Sequence, residues 1–269
     1  MIEVFAYDFF RNALAAGLLA SVACGIIGTY VVVKRMVALA GGISHTAFGG
    51  IGLGYFLGID PIIGATGFTV ASALGMGELS FSRKHNLDTL IGAFWAAGMA
   101  LGILFVFLTP GFAPDLFGYL FGNILLVPRE AILSMAALDL LIVGAVLLLY
   151  NEFFAVTFDE EYARVMNLPV RAITLALLVL VALTVVMLIQ VVGIILVIAL
   201  LTLPAAIARE FSRSLPRMMV LSVLLGAAFT TGGIVLSYLL DVPSGATVIL
   251  ISTAAYGAAM GLRGLVSRG

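Results

Sequence analysis

The stretch AITLALLVLVALTVVMLIQVVGIILVIALLTLPAAIA, residues 172–208, contains no charged side chain and decides the fold class. About 20 apolar residues cross the hydrocarbon core of a bilayer as one helix. The stretch is therefore long enough for two crossings, and the segment from Gln190 to Gly193 predicts a turn between them. A single unbroken helix is the alternative, and it would be far longer than a bilayer requires.

The rest of the chain has the same apolar character. Of its 269 residues 63% are hydrophobic and only 10% are charged, whereas an average soluble domain carries about 25% charged residues. We predict an all-α polytopic membrane protein that forms one domain over residues 1–269. Its candidate spans are 12–33, 37–58, 61–79, 88–109, 131–151, 172–190, 191–208, 218–240 and 245–262.

Two stretches leave the number of spans at eight or nine. The 37–58 stretch is rich in glycine and polar atoms, so a broken helix that lines a cavity is an alternative there. Prolines at 110, 114 and 128 bracket the segment 112–128, which is the best candidate for a re-entrant or interfacial helix if only eight segments cross.

Basic residues predict the orientation, because cytoplasmic loops collect lysine and arginine. With nine crossings and an outside N-terminus, only Arg11 and Arg129 of the thirteen basic residues fall outside. The C-terminus is then cytoplasmic. The net charge of −1 argues against a general affinity for nucleic acid.

His45 is an ionisable residue within a predicted span, and such residues mark binding sites or pathways by default. It lies in GGISHTAFGG, residues 41–50, where glycine pairs allow a backbone or an ion to come close. Neutral imidazole is a common ligand of transition metals. The alternative is a hydrogen bond from His45 to a carbonyl of a neighbouring helix.

The only sizeable polar loop covers about residues 152–171 and contains FDEEYARVMNLPV, residues 158–170. Asp159 is placed to cap a short helix, Glu160 and Glu161 suit its first turn, and Arg164 shares a face with Glu160. Pro169 is expected to end it. The residues alone leave open whether this helix is a plain surface element or docks a partner.

Other membrane-depth polar groups are interpreted as span-end groups that cap helices or reach the interface. Pro204 is expected to kink its span just before Arg209 and Glu210, which makes these three residues a candidate gate or hinge, or simply a helix end. The span-end groups are Glu78, Asp88, Asp139, Gln190, Thr202 and Glu210.

Enzyme signatures are missing from the sequence, including a Walker-type phosphate loop, a zincin motif and a nucleophile elbow. We therefore expect no catalytic residues, no bound cofactor, and any energy from ATP to come from a separate subunit. A partner-independent channel or secondary carrier is an alternative, but it would need several facing ionisable groups within the spans.

Several ordered segments over nearly the whole chain resemble the permease subunits of the metal-ion ABC importers of the zinc, manganese and iron type. They are GTYVVVKRM (28–36), ISH (43–45), LDTLIG (87–92), LFGNIL (120–125), the 158–170 segment, VVG (191–193) with LPAA (203–206), and SYLLDVPSGAT (237–247).

The resemblance implies a type II ABC importer-like fold in a prokaryotic cell membrane. It also implies a homodimeric path, two cytoplasmic ATP-binding subunits and an extracytoplasmic metal-binding protein. The cargo would be a divalent transition metal, zinc or manganese before others, with a different small cargo as the alternative. His45 would lie on the metal path, although Gly41 stands where the family often has aspartate. The implied coupling residues are Asp159, Glu161, Arg164, Leu168 and Pro169.

Overall fold

The computed structural model describes residues 7–81, 86–111 and 116–266, and within them the regular structure is entirely helical. This agrees with the predicted fold class. The helices are α1 Asp8–Val33, α2 Val37–Leu57, α3 Pro61–Ser80, α4 Leu87–Leu108, α5 Leu116–Phe121, α6 Arg129–Leu148, α7 Tyr150–Phe158, α8 Glu160–Val165, α9 Val170–Phe211, α10 Leu215–Leu240 and α11 Ser244–Val266.

Nine helical segments of the described chain are long and apolar enough to cross a membrane. They are α1–α4, α6, the two halves of α9, α10 and α11. In the described part of the segment between α4 and α6, residues 116–128, the regular structure is the short helix α5 and a 3₁₀ turn at Ile124–Leu126, and neither is long enough to cross. The hydroxyl groups of Tyr119 in α5 and Tyr55 in α2 lie 3.1 Å apart. Burial, with this hydrogen bond, raises the pKa of Tyr119.

The long apolar run reverses direction at the predicted place. Gly193 has φ 76° and ψ 160°, a conformation that breaks the helix and that glycine adopts readily. We name the two halves α9a (Val170–Ile189) and α9b (Val191–Phe211). Arg171 at the start of α9a contacts Glu78 near the end of α3, and Arg209 near the end of α9b lines a cavity with Arg35. Both ends of α9 therefore lie at one end of the bundle, so its halves are two antiparallel crossings.

The basic residues separate between the two ends of the bundle. We define the basic end as the end that carries Lys34, Ser80, Arg171, Glu210 and Arg263. Helix α11 returns there, since Arg263 pairs with Glu210. This is the grouping that the sequence predicts for the cytoplasmic side, with Arg11 and Arg129 at the opposite end. The cytoplasmic location of the C-terminus stays a prediction.

Helix α2 is largely buried and is continuous from Val37 to Leu57, so the alternative of a broken helix over 37–58 is wrong. It packs between α3 and α4 at very short range. A Cβ on Gly52 would lie 2.4 Å from the carbonyl oxygen of Gly102 in α4. Small residues allow such close approach of membrane helices, and here they fix the helix that carries His45.

Candidate functional site

His45 projects from the middle of α2 onto α4, where its ring stacks on the indole of Trp95. The ring centroids are 4.0 Å apart and the planes are inclined by 11°. The Nδ1 atom is buried and has no hydrogen-bond partner among the described residues. The alternative of a bond from this nitrogen to a neighbouring helix carbonyl is therefore not realised. The stack fixes the plane of the imidazole. No pattern in the sequence pairs these two residues.

The polar groups beside His45 are occupied by their own helix. The hydroxyl of Ser44 donates to the carbonyl of Ala40 at 2.9 Å, and that of Thr46 donates to the carbonyl of Ile43 at 2.7 Å. One turn before His45, a Cβ on Gly41 would have no heavy atom within 4 Å. The position one turn before His45 thus has room for a side chain and supplies no second ligand.

The described residues of a single chain contain no group of three or more His, Cys, Asp or Glu side chains that could hold a metal ion. One imidazole is a neutral, borderline-soft ligand that suits zinc and several other transition metals. By itself it provides a contact for a passing ion and not a closed coordination shell.

The predicted short helix at the basic end is α8. The Oδ1 atom of Asp159 accepts a hydrogen bond from the backbone N–H of Tyr162 at 2.9 Å, as expected for the cap. Arg164 lies 3.8 Å from Glu160, which confirms that they share a face. The predicted end of this helix at Pro169 is wrong. Helix α8 stops at Val165, and Asn167, two residues later, takes a left-handed φ of 57°.

The remaining predicted coupling residues differ in their surroundings. Glu161 and Arg164 are exposed, whereas Leu168 is half-buried and packs against the hydrophobic core. Pro169 is exposed and forms the N-cap of α9, so it starts the next helix rather than ending α8. The five predicted residues therefore lie in one segment, but only Glu161 and Arg164 project from α8 into the surroundings.

Sequence reasoning missed three apolar side chains on α8 and directly after it. Tyr162 is 56% exposed, Val165 is 78% exposed and Met166 is 56% exposed. We name these three residues the docking face. Their spacing of three and four positions puts them on one side of a helix, and the fully buried Ala163 lies outside this side. That spacing was the signal available in the sequence.

The polar loop predicted for 152–171 is shorter than expected. Residues Tyr150–Phe158 form the helix α7, whose Phe153 and Val156 are buried in the core. The non-helical connections that remain are Asp159 and the residues between α8 and α9. Helix α7 thus joins the last turn of the α6 span to α8.

The candidate gate residues belong to α9b. The helix runs through Pro204 to Phe211, and within α9 the non-helical backbone is at Gly193. The kink at Pro204 stays a prediction. Glu210 pairs with Arg263 of α11. Arg209 lines a cavity of about 490 Å³ with Arg35 and Tyr256.

The two membrane-depth aspartates occupy different depths. Asp88 lies in the exposed first turn of α4, where the N-cap is Asn86 and not Asp88 itself. Asp139 lies in the middle of α6 and is 6% exposed, and neither of its oxygens has a hydrogen-bond partner among the described residues. Its interpretation as a span-end group is wrong. The two carboxyl groups do not form a pair at matching depth.

Three comparisons with known proteins agree with this architecture. The family model described as ABC 3 transport family matches residues 6–263. The chain is 41% identical over 251 residues to a probable metal transport system membrane protein of Chlamydia pneumoniae, covering 91% of this chain and 86% of that protein. It is 32% identical over 251 residues to the manganese transport system membrane protein MntC of Halalkalibacterium halodurans, covering 93% and 86%.

A solved structure has the same fold. It is titled PsaBC from Streptococcus pneumoniae in complex with Fab, and it matches with a TM-score of 0.86 at 29% identity, covering 96% of this chain and 95% of that one. The match spans almost the whole bundle of nine apolar helices. The chain therefore belongs to the ABC 3 transport family, as a multi-pass permease of a metal-ion ABC transport system in a prokaryotic plasma membrane.

Proposed function

We propose that the chain is the permease of an ATP-driven importer for a divalent transition metal, zinc or manganese. Two copies form the translocation path, separate cytoplasmic subunits bind and hydrolyse ATP, and an extracytoplasmic protein delivers the metal. The observation that carries the proposal is the docking face on α8, where Tyr162, Val165 and Met166 project from the basic end without covering neighbours.

The docking face has the properties of a surface that a partner covers. Contiguous apolar side chains at a water-facing end are unfavourable unless they are buried by association. The cap at Asp159 and the left-handed Asn167 define both ends of the helix, so it presents the face as a formed element. Glu161 is exposed beside the face and supplies a polar contact at its rim. Arg164 is exposed on another side of the same short helix. A cytoplasmic ATPase subunit is the partner that an ABC permease requires.

The cargo assignment rests on His45 and on the relatives. Imidazole binds transition metals and has little affinity for alkali cations. A homodimer supplies a second His45. Two imidazoles are expected to bind zinc or manganese weakly, so that the ion can be released and continue along the path. The relatives named for metal and manganese transport support the same class of cargo.

Uptake by proteoliposomes tests the proposal. The permease is reconstituted with its ATPase subunit and binding protein, and ATP-dependent uptake of zinc, manganese, iron and cobalt is measured. We expect at least one of these metals to accumulate, and His45→Ala to lower the rate of its uptake sharply at equal expression and ATPase assembly. The matched control is His85→Ala, which removes the other histidine of the sequence.

The outcomes separate the parts of the proposal. Uptake by His45→Ala at the wild-type rate would remove His45 from the metal path and leave the metal cargo standing. A wild-type complex that hydrolyses ATP but accumulates none of the four metals would overturn the cargo assignment and point to a different small solute.

A further inference from the structure

Lys34, the C-cap of α1, is a cation almost withdrawn from solvent at the basic end. Its side chain is 7% exposed. The Nζ atom donates to the backbone carbonyl of Val156 in α7 and to the Oε1 atom of Glu160 in α8, both at 2.9 Å. Burial of an ammonium group is costly unless it is paired and hydrogen-bonded. The two acceptors meet that requirement and join α1 to the α7–α8 junction.

The Lys34 contact differs in kind from the other ion pair of Glu160. The Arg164–Glu160 pair is longer, at 3.8 Å, and its arginine is 62% exposed, so solvent screens it and it contributes little. Ala163 is the one residue of α8 that is buried. Among the contacts of the described residues, the Lys34 ammonium is therefore the strongest polar attachment of α8 to the bundle.

The residues that follow Lys34 in the chain lead directly into α2, the helix that carries the candidate metal ligand His45. Arg35 takes a left-handed φ of 58°, and the N–H of Met36 donates to the carbonyl of Val31 at 2.8 Å. This tight turn passes into α2 at Val37, and α2 carries His45. A hydrogen-bonded turn thus connects Lys34 to the start of α2. A displacement of α8 that pulls on Lys34 would be transmitted to α2 through this turn.

The connection after α8, residues 166–171, has an attachment to a different helix. Arg171, at the start of α9a, contacts both carboxylate oxygens of Glu78 near the end of α3. This pair is more exposed, with 68% of the arginine side chain accessible. The Arg171–Glu78 pair attaches the start of α9a to α3. The buried Lys34 contact, which attaches the α7–α8 junction to α1, is the stiffer of the two connections.

We propose that Lys34 is a positioning residue that couples movement of α8 to α2. Its ammonium holds the α7–α8 junction so that a partner acting on the docking face moves the start of the helix that carries His45. This role rests on the proposed function, in which an ATPase subunit acts on α8. Lys34 itself touches neither cargo nor nucleotide.

The test uses Lys34→Met, which keeps a long apolar stem and leaves Glu160 in contact with water. The control is Arg11→Met, on the same helix, which removes the exposed pair with Asp8 at the opposite end. Hydrogen exchange of the α8 backbone amides is measured on the purified full-length permease. Loss of a charge-assisted bond is expected to raise exchange by about tenfold in Lys34→Met and to leave it unchanged in Arg11→Met.

The second readout is metal transported per ATP hydrolysed by the reconstituted complex. We expect Lys34→Met to hydrolyse ATP at close to the wild-type rate, because the docking face is intact, and to transport about tenfold less metal per ATP. Lys34→Arg retains the charge and the donors, so it is expected to recover most of the loss. A merely structural role would lower ATP hydrolysis and transport together.

The results have distinct meanings. Unchanged exchange in Lys34→Met overturns the attachment, and raised exchange with unchanged transport per ATP overturns the coupling role. Parallel loss of hydrolysis and transport, with no recovery in Lys34→Arg, also overturns it. If the wild-type complex itself transports no metal, the proposed function fails. The exchange data then still decide whether Lys34 holds α8.

Discussion

The contact between α1 and α9b at Gly28 is close enough to make a single methyl group decisive for stability. A Cβ on Gly28 would lie 2.1 Å from the carbonyl oxygen of Leu201 and 2.9 Å from its carbonyl carbon. Carbon and oxygen atoms normally approach to about 3.3–3.6 Å. The neighbour is backbone and cannot rotate away, so Gly28→Ala requires the two helices to separate by about 1 Å.

The size of the effect follows from two opposing contributions. Overpacking a well-packed core costs about 1–3 kcal/mol, and the backbone neighbour places Gly28→Ala at the upper end. Replacing glycine by alanine inside a helix recovers about 1 kcal/mol. The net loss of about 2 kcal/mol lowers the unfolding temperature of a protein of this size by about 5 °C. The same substitution at Gly17 is the matched control.

Gly17 lies on the same helix but has room for a methyl group. Its added Cβ would be 3.4 Å from Ile234 and from Thr230, which are side-chain atoms. We expect Gly17→Ala to unfold at or above the wild-type temperature. The assay is the loss of monodisperse, detergent-solubilised protein on heating, followed by size-exclusion chromatography. Equal unfolding temperatures for Gly28→Ala and Gly17→Ala would refute the argument that the α1–α9b contact requires glycine.

Three further predictions use the basic end and the His45 environment. Glu78→Gln, which weakens the exposed pair with Arg171, should leave the unfolding temperature nearly unchanged in the same heating assay, since exposed pairs contribute little; a drop as large as that of Gly28→Ala would contradict this view. Gly41→Asp fits the open space one turn before His45 and should tighten zinc binding several-fold by calorimetry, whereas His45→Ala should cancel the gain. Arg164→Glu should weaken co-purification of the ATPase subunit without changing the unfolding temperature, because this side chain is 62% exposed.

The features that could be predicted from the sequence are those set by local pattern and length. The run around Gln190 and Gly193 is too long for one crossing, and the structure reverses there. The cap at Asp159 and the pairing of Glu160 with Arg164 follow from spacing within one helical turn. In these cases the physical cause lies within a few residues of its effect.

The features that were missed depend on residues far apart in the chain. His45 and Trp95 stack across α2 and α4, and Lys34 and Glu160 pair across 126 positions. Each residue is visible in the sequence as an unusual polar or aromatic group, but periodicity does not say which partner it meets. Asp139 is a different case. It already lies near the middle of the predicted span 131–151, so its depth could be predicted from the sequence, and the interpretation as a span-end group did not use that position.

On the proposed function, the environment of His45 suits rapid passage of the metal and contributes little to the selection among metals. The stack on Trp95 holds the imidazole still, while the space at Gly41 provides no second ligand from the same helix. When association rates stay similar, each tenfold gain in affinity slows release about tenfold. A lone imidazole from each protomer therefore favours rapid passage over discrimination. Selection among transition metals then belongs to the delivering protein, and substitution of His45 should change the rate of uptake far more than the order of preference among metals.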